Sequence, residues 1–243
     1  MSGIKTEFLT LKVSDGSEMR AYMGRPESGQ KPPGVLVFQE AFGVDRHIRD
    51  VTERLANEGY LAIALELFQR TAPPGFEGNT GDFQSVMPHM MALTDASVEA
   101  DVRAAHDALL RQGTIGVQRI ACIGFCMGGR VSFLANLILP LCAAISFYGG
   151  GIAKSERGPG LLDRVEQTRA PIFLFWGGRD KHIGPEQRQA VNEALRKAKK
   201  TFASMEFTDA DHAFFNDMRL SYSKTAAEQA WKLSLAFFKS TLE

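Results

Sequence analysis

A cysteine flanked by glycines stands where a predicted strand turns into a predicted helix. The stretch "ACIGFCMGGRVSF" contains the pattern G-x-C-x-G, with Gly124, Cys126 and Gly128 at the fixed positions. This is the spacing of the nucleophile elbow G-x-S-x-G, with sulfur in place of the serine oxygen. The start of the following helix favours a thiolate, so Cys126 is predicted to attack a carbonyl carbon. The alternative is an inert cysteine beside a tight turn.

An acid and a histidine follow at the ends of two later predicted strands. Asp180 comes just after "APIFLFWG", and His212 comes just after "FASMEFTD". The order nucleophile, acid, histidine is that of α/β-hydrolases, and the carboxyl ends of parallel strands lie at one edge of a sheet. His212 would carry the proton and Asp180 would orient its ring. The alternatives are a turn or helix-capping aspartate and a histidine that caps a loop.

The loop after "GVLVF" supplies the remaining candidate groups, in the segment "QEAFG". The backbone N–H groups of Ala41 and Met127 are placed to stabilise an oxyanion. Glu40 is an unusual neighbour for such a site, and we expect it to hold the thiol proton of Cys126 until substrate displaces it. The alternative for Glu40 is an ordinary carboxylate of a surface loop.

The elements that must position these groups form an alternating α/β pattern. An N-terminal hairpin around "SDGS" precedes strand–helix–strand units, which predict a mostly parallel sheet with helices on both faces. We expect a single domain over residues 1–243. The segment 68–92 differs because it is rich in Pro, Gly and Met, and it exceeds the usual length of a connection. It is predicted to be an excursion over one end of the sheet, either a lid or pocket wall or a passive insertion.

Composition excludes several classes of protein. The 28 basic and 28 acidic residues give no net charge, so binding to nucleic acid or anionic membranes is not expected. There is no long apolar run and no signal-type N-terminus, which predicts a cytoplasmic protein. Cys122 and Cys142 lie in apolar strands, and the three cysteines have no zinc-binding spacing, so no metal site is expected.

The four motifs "QEAFG", "GFCMGG", "GGRD" and "DHAFF", in this order and at these separations, resemble the dienelactone hydrolase family of α/β-hydrolases. The resemblance implies attack of a thiolate on the carbonyl of a small lactone or carboxylic ester, followed by hydrolysis of a thioester. It also implies an α/β-hydrolase fold, no cofactor, and a monomer or small homo-oligomer. By resemblance, the catalytic triad is Cys126, His212 and Asp180, the thiol partner is Glu40, and the oxyanion donors are Ala41 and Met127.

The chain departs from the family where the substrate's carboxylate is bound. The best-studied members of the family have one arginine in the excursion and one four residues beyond the histidine. Here no Arg or Lys lies between Thr71 and Ala100, and Asn216 takes the second position. The candidate substrate contacts are Arg70, Phe42, Phe214 and Asn216. For Arg70 the alternative is a surface residue. The missing arginines also keep open a second function, a non-catalytic ligand-binding or redox-sensing protein on the same scaffold.

Overall fold

The computed structural model describes residues 3–27, 31–112, 119–154 and 160–242. The strands, in chain order, are β1 Ile4–Lys12, β2 Glu18–Pro26, β3 Gly34–Phe38, β4 Leu61–Leu65, β5 Ile120–Phe125, β6 Ala143–Phe147, β7 Ile172–Gly177 and β8 Phe202–Phe207. They form one eight-stranded sheet in the order β1-β2-β4-β3-β5-β6-β7-β8. β1 and β2 are the predicted antiparallel hairpin, and β3 to β8 run parallel to one another.

Six α-helices are found in the described ranges. They are α1 Arg46–Asn57, α2 Phe83–Ala92, α3 Asp95–Arg111, α4 Met127–Ile138, α5 Pro185–Lys197 and α6 Lys224–Leu242. α1 illustrates the sequence signals: the side chain of Asp45 caps its first turn by accepting from the N–H of Ile48, and its apolar positions recur at helical spacing on the buried face. Within the described ranges, no helix is both long and apolar enough to cross a bilayer.

The helices cover both faces of the sheet, as two residues of β5 demonstrate. Side chains three positions apart on a strand point to opposite faces. The thiol of Cys122 contacts Ser132 of α4, whereas the ring of Phe125 packs against His47 of α1. α4 and α1 therefore lie on opposite sides, and the predicted α/β fold with an N-terminal hairpin is confirmed.

The strand register brings separate segments of the chain to one edge of the sheet. Phe38 at the end of β3 pairs with Gly124 of β5, and Phe125 at the end of β5 pairs with Phe147 at the end of β6. Because these strands are parallel, the residues that follow them meet at their carboxyl ends. The loops after β3, β5 and β6 are therefore neighbours.

The excursion packs on a small apolar core of its own. Its members, which we call the excursion cluster, are Ala41, Phe42, Phe68, Val86 and Met90. This cluster is separate from the main core around the sheet. The stretch "FQSVMPHMMAL" contains α2, whose first turn is capped by the side chain of Asp82, which accepts from the N–H of Ser85. The excursion thus rests on the loop that carries Ala41 and Phe42.

Candidate active site

Cys126 occupies a strained turn between β5 and α4. Its backbone has φ 54° and ψ −116°, a conformation that side chains rarely adopt. The turn is held because the Cys126 N–H donates to the carbonyl of Phe147 at 3.0 Å. A Cβ at Gly124 would collide with the carbonyl of Gly128, and one at Gly128 would collide with the carbonyl of Phe38. Both glycines are therefore required for the close approach of β5, α4 and β3.

α4 begins immediately after Cys126, with Met127 as its first residue. The first N–H groups of a helix have no partner within it, and the helix dipole is positive at this end. The N–H of Met127 and the sulfur of Cys126 are thus placed where developing negative charge is stabilised. Cys126 is only partly buried and accessible to a reactant, whereas Cys122 is fully buried.

His212 and Asp180 form a hydrogen-bonded pair at the ends of β8 and β7. The Nδ1 atom of His212 lies 2.7 Å from Oδ2 of Asp180. The other carboxylate oxygen accepts from the backbone N–H groups of His182 and Ile183, at 2.8 and 3.1 Å. Because an ionised carboxylate only accepts, Nδ1 carries a hydrogen, and in the neutral ring Nε2 is the atom that takes a further proton. Asp180 thus fixes both the orientation and the tautomer of His212.

The electrostatics of this pair favour an imidazolium. Burial would by itself raise the pKa of Asp180, but the hydrogen bond and charge of His212, with two backbone N–H groups, lower it below 3.8. Burial opposes the charged ring of His212, yet the negative charge of Cys126, the hydrogen bond to Asp180 and the polar contact with Cys126 raise its pKa well above 6.5. These interactions therefore favour the protonated ring of His212 and the ionised carboxylate of Asp180.

In the part of the chain that the structure describes, no hydrogen bond of ordinary length and angle joins the thiol of Cys126 to the ring of His212. The two groups are close enough for their charges to shift the pKa of His212. Catalytic hydrogen bonds of enzymes without substrate are often long and tighten when substrate binds.

Glu40 is fully covered by protein, with 2% of its surface exposed, and its charge and that of Cys126 both act on Tyr148. Its Oε2 accepts from Nδ2 of Asn216 at 2.7 Å, and its Oε1 accepts from the hydroxyl of Tyr148 at 3.2 Å. Among the hydrogen bonds of the described residues, those of the Glu40 carboxylate go to these two donors and not to Cys126. The predicted contact between Glu40 and the thiol remains a prediction.

Tyr148 is a site residue that the sequence analysis did not identify. It follows β6 directly and is fully buried, and its ring lies 5.1 Å from that of His212. Its backbone also has positive φ, 37°, which is unusual for a tyrosine. The available signal was its position in "SFYGG", at the carboxyl end of a buried strand and before two glycines.

Ala41 and Phe42 follow Glu40 and are both buried. The ring of Phe42 packs edge-on against Phe83 of the excursion, and the guanidinium of Arg219 lies 4.9 Å above it. Arg219 also donates to the carbonyl of Thr80, although at 3.3 Å this is a long hydrogen bond. The loop after β3 is therefore held between the excursion and the segment that follows His212.

The other predicted substrate contacts have partners within the protein. Arg70 donates to Asp15 and Asp101, and these ion pairs engage Nε and both terminal nitrogens. Asn216 is fully buried, and besides its bond to Glu40 it accepts from the N–H of Met218 at 2.9 Å. Phe214 packs against aromatic rings of the core. Arg70 would have to leave two carboxylates to reach a substrate. Over the described residues, no group of three or more His, Cys, Asp or Glu side chains is arranged to hold a metal ion.

The sheet order and the strand-end cysteine, aspartate and histidine define the class of the protein as an α/β-hydrolase. Comparison with known families agrees, because residues 19–242 match the model of the "Dienelactone hydrolase family". The chain belongs to this family. It is a hydrolase of carboxylic esters or lactones and acts on small molecules.

Individual relatives cover nearly the whole chain. A protein of Escherichia coli (strain K12) named "Putative carboxymethylenebutenolidase" is 38% identical over 93% of this chain and 84% of its own length. A Synechocystis protein of the same name is 32% identical over 99% of this chain and 98% of its own length. The crystal structure of a "Putative Dienelactone Hydrolase" from Klebsiella pneumoniae matches with a TM-score of 0.88 and 34% identity, covering 98% of this chain and 99% of that one.

Proposed function

We propose that the protein hydrolyses lactones or carboxylic esters through a thioester on Cys126. His212 carries the proton and Asp180 orients its ring. The observation that supports the proposal is that three strand ends meet at one edge of the sheet. His212 Nδ1 lies 2.7 Å from Asp180 Oδ2, and the charge of Cys126 raises the pKa of the same ring. This is the arrangement of an activated nucleophile, its base and the group that orients the base.

In the first half of the reaction the acyl group moves to sulfur. The thiol proton of Cys126 passes to Nε2 of His212, and the sulfur forms a bond to the carbonyl carbon. The carbonyl oxygen takes the negative charge and accepts from the N–H groups of Ala41 and Met127. When the carbonyl re-forms, the C–O bond to the leaving oxygen breaks and His212 donates its proton to that oxygen. In a lactone, the leaving hydroxyl or enol stays attached to the acyl group.

In the second half, water releases the acyl group. A water molecule gives a proton to His212 as its oxygen attacks the thioester carbonyl. The same two N–H groups stabilise the second oxyanion. The carbon–sulfur bond breaks, the carboxylic acid leaves, and the sulfur and ring return to their starting protonation. One water is consumed for each ester bond cleaved.

The three cysteines differ in the way this proposal requires. Burial raises the pKa of Cys122 to about 12 and that of Cys142 to about 11, so both stay thiols at neutral pH. Only the thiolate is a strong nucleophile. Cys126 is instead partly exposed, at a helix N-terminus and beside a histidine whose ring favours the charged form. Cys142 therefore provides a matched control for substitutions at Cys126.

The partners of Arg70 and Asn216 support a substrate that carries no carboxylate group besides its ester or lactone. Arg70 is bound to two aspartates, and the amide of Asn216 is bound to Glu40 and to a backbone N–H. The guanidinium of Arg70 is already neutralised by two carboxylates, and Asn216 carries no charge with which to bind an anionic group. We therefore infer that neutral lactones and esters are hydrolysed at least as well as carboxylated ones of the same size.

The test compares neutral and carboxylated aryl esters and enol lactones with wild type, Cys126→Ala, His212→Gln and Cys142→Ala. We expect kcat/KM to fall by about 10³-fold or more in the first two variants and to change little in the third. Rapid mixing of wild type with an aryl ester should release one equivalent of phenol in a burst. Mass spectrometry of the quenched enzyme should locate the acyl group on Cys126.

Two outcomes would overturn the proposal. Turnover that survives both Cys126→Ala and His212→Gln would place the chemistry elsewhere. Ligand binding or reversible oxidation of Cys126 without any ester turnover would instead favour a binding or sensing protein. Hydrolysis restricted to dianionic substrates would contradict only the inference about substrate charge.

A further inference from the structure

We propose that Arg188 is a positioning residue, which closes the loop after β7 and thereby holds Asp180 in place against His212. This role deepens the proposed function and rests on it, because it assumes that the ring of His212 carries the catalytic proton. Arg188 lies on α5, outside the triad, and only 6% of its surface is exposed. A guanidinium that leaves water needs acceptors inside the protein, and those of Arg188 belong to the loop that carries Asp180.

The guanidinium of Arg188 donates to two backbone carbonyls, one on each side of Asp180 in the chain. Its Nη1 lies 2.9 Å from the oxygen of Gly177 and 3.0 Å from that of Ile183. A terminal nitrogen of arginine carries two hydrogens, so each hydrogen has one acceptor. Because both bonds start from one atom, they draw the two ends of the loop together, and Asp180 lies midway between these ends.

The start of this loop is fastened to the segment that leads to His212. The N–H of Gly178 donates to the carbonyl of Phe207, the last residue of β8, at 2.8 Å. A Cβ at Gly177 would lie 2.7 Å from the carbonyl oxygen of Asp211, so the two segments are in close contact. These contacts determine where the loop begins relative to the histidine, and its far end has to be held by other groups.

The far end of the loop supplies the donors that orient the Asp180 carboxylate. Its Oδ1 accepts from the N–H groups of His182 and Ile183, at 2.8 and 3.1 Å, while Oδ2 faces His212. These two N–H groups therefore determine how the carboxylate is turned. Arg188 holds the carbonyl of Ile183, the same residue whose N–H is one of the donors. Loss of this bond would let the donors move, and the carboxylate with them.

The role of Arg188 is one of position and not of charge. The pKa of Asp180 responds mainly to burial, to His212 and to two backbone N–H groups. The charge of Arg188 is faced by Glu206 of β8, whose Oε2 lies 3.4 Å from Nε. A cation near the N-terminal end of a helix also opposes the helix dipole, so the local preferences of α5 do not explain an arginine here. Its two carbonyl acceptors do.

The test separates the donors of Arg188 from its charge and its bulk. Arg188→Met keeps a long side chain without a donor, and Arg188→Lys keeps a charged donor. Each is made in wild type and in Asp180→Asn, in which the group that Arg188 positions no longer functions. Glu206→Gln removes only the facing charge. Arg196→Met is the matched control, because Arg196 is an exposed arginine in the last turn of the same helix.

Two properties are measured. The first is kcat and KM for a neutral aryl ester, with thermal denaturation to verify folding. The second, in the wild-type background, is the downfield proton NMR signal of His212 Nδ1–H, which reports the hydrogen bond to Asp180 and is identified by its loss in His212→Gln. This signal requires no turnover, so it tests the role of Arg188 even if the proposed function fails. Cys126→Ala tests the proposed function separately.

We expect Arg188→Met to lower kcat by about 10- to 100-fold with little change in KM, because displacement of a catalytic group by about 1 Å has an effect of this size. The Nδ1–H signal should weaken or disappear. Arg188→Lys should recover most of the activity, because an ammonium group can also donate to two carbonyls. In Asp180→Asn, Arg188→Met should change kcat by less than about threefold. Glu206→Gln and Arg196→Met should behave like wild type.

The role of Arg188 is refuted in three cases. Wild-type kcat and an unchanged NMR signal in Arg188→Met would show that its hydrogen bonds do not hold Asp180. An equal loss of kcat in wild type and in Asp180→Asn would indicate a general effect on structure. A loss in Glu206→Gln as large as that in Arg188→Met would assign the effect to charge. If Arg188→Met does not fold, Arg188→Gln, whose side chain is shorter and uncharged, replaces it with the same expected results.

Discussion

Replacing Asp180 by asparagine should reverse the tautomer of His212. The Oδ1 of Asp180 accepts from the N–H groups of His182 and Ile183, so this position selects an oxygen. An asparagine would keep its carbonyl oxygen there and turn its NH₂ toward Nδ1 of the histidine. Nδ1 would then have to accept, and the ring hydrogen would move to Nε2. The ring would keep its place but could no longer take a proton from Cys126.

The size of the effect follows from what is lost. The substitution removes a carboxylate 2.7 Å from the ring, and with it one of the interactions that raise the pKa of His212. A wrong tautomer in a comparable triad lowers kcat by about 10⁴-fold. We expect Asp180→Asn to lower kcat/KM by about 10³- to 10⁴-fold, which is about 4–5.5 kcal/mol of transition-state stabilisation.

The assay is kcat/KM for a neutral aryl ester between pH 5 and 10, with thermal denaturation to verify folding. Asp211→Asn is the matched control, because Asp211 is in the same loop and only its Oδ1 accepts, from the His212 N–H at 2.7 Å. An asparagine can still accept that bond, so the control should lose less than about threefold. A loss of less than tenfold in Asp180→Asn would refute the role given to Asp180.

Three further substitutions test the strain, charge and packing of the site. In urea titrations, the free energy of unfolding of Cys126→Gly should exceed that of Cys126→Ala by about 1 kcal/mol. Glycine relieves the strain of the φ 54° conformation, and this gain outweighs its entropy cost. Equal stability of the two variants would contradict the strain. Burial raises the pKa of Asp45 to about 6 from 3.8, so its charged form destabilises the fold above the unfolded-state pKa. Asp45→Asn should therefore gain roughly 2–3 kcal/mol at pH 8, a gain that disappears near pH 4, and urea titrations at both pH values would detect it. Gly128→Ala should lower the melting temperature by at least about 5 °C, because its Cβ would collide with the carbonyl of Phe38. Gly81→Ala is the control and should leave the melting temperature unchanged, because its Cβ would meet only the side chain of Asn79, at 3.3 Å.

The sequence was sufficient for the fold because its signals are local. The hairpin turn, the buried strands and the helical spacing of Ile48, Val51 and Leu55 each depend on a short stretch of chain. The position of Cys126, Asp180 and His212 after separate strands then predicted that they would lie at one edge of the sheet. The structure does bring these three together with Glu40.

The partners of Glu40 could not be predicted in the same way. Asn216 is 176 residues away along the chain and Tyr148 is 108 residues away, and each bond depends on one rotamer. The partner of Arg70 could not be predicted either, because its ion pair with Asp101 joins the excursion to α3, a separate element. Sequence patterns give the direction of a side chain on a strand or helix. They do not give which of several polar groups in a loop will be within 3 Å of another.

The excursion cluster has a consequence for the way the protein opens. The buried members of this cluster are separate from those of the main core, although Leu93 and Met127 pack against both and Arg70 is paired with Asp101 of α3. We therefore expect residues 68–92 to open locally at a lower cost in free energy than global unfolding. The amide hydrogens of α2 should then exchange with solvent much faster than those of β5, and faster exchange should appear first at its exposed Phe83 and Met91 end turns. Ala41 belongs to the same cluster, so each such opening would also loosen the loop that bears the proposed oxyanion donor. The two motions would therefore be one event, and opening of the excursion would be linked to a temporary loss of part of the proposed catalytic power.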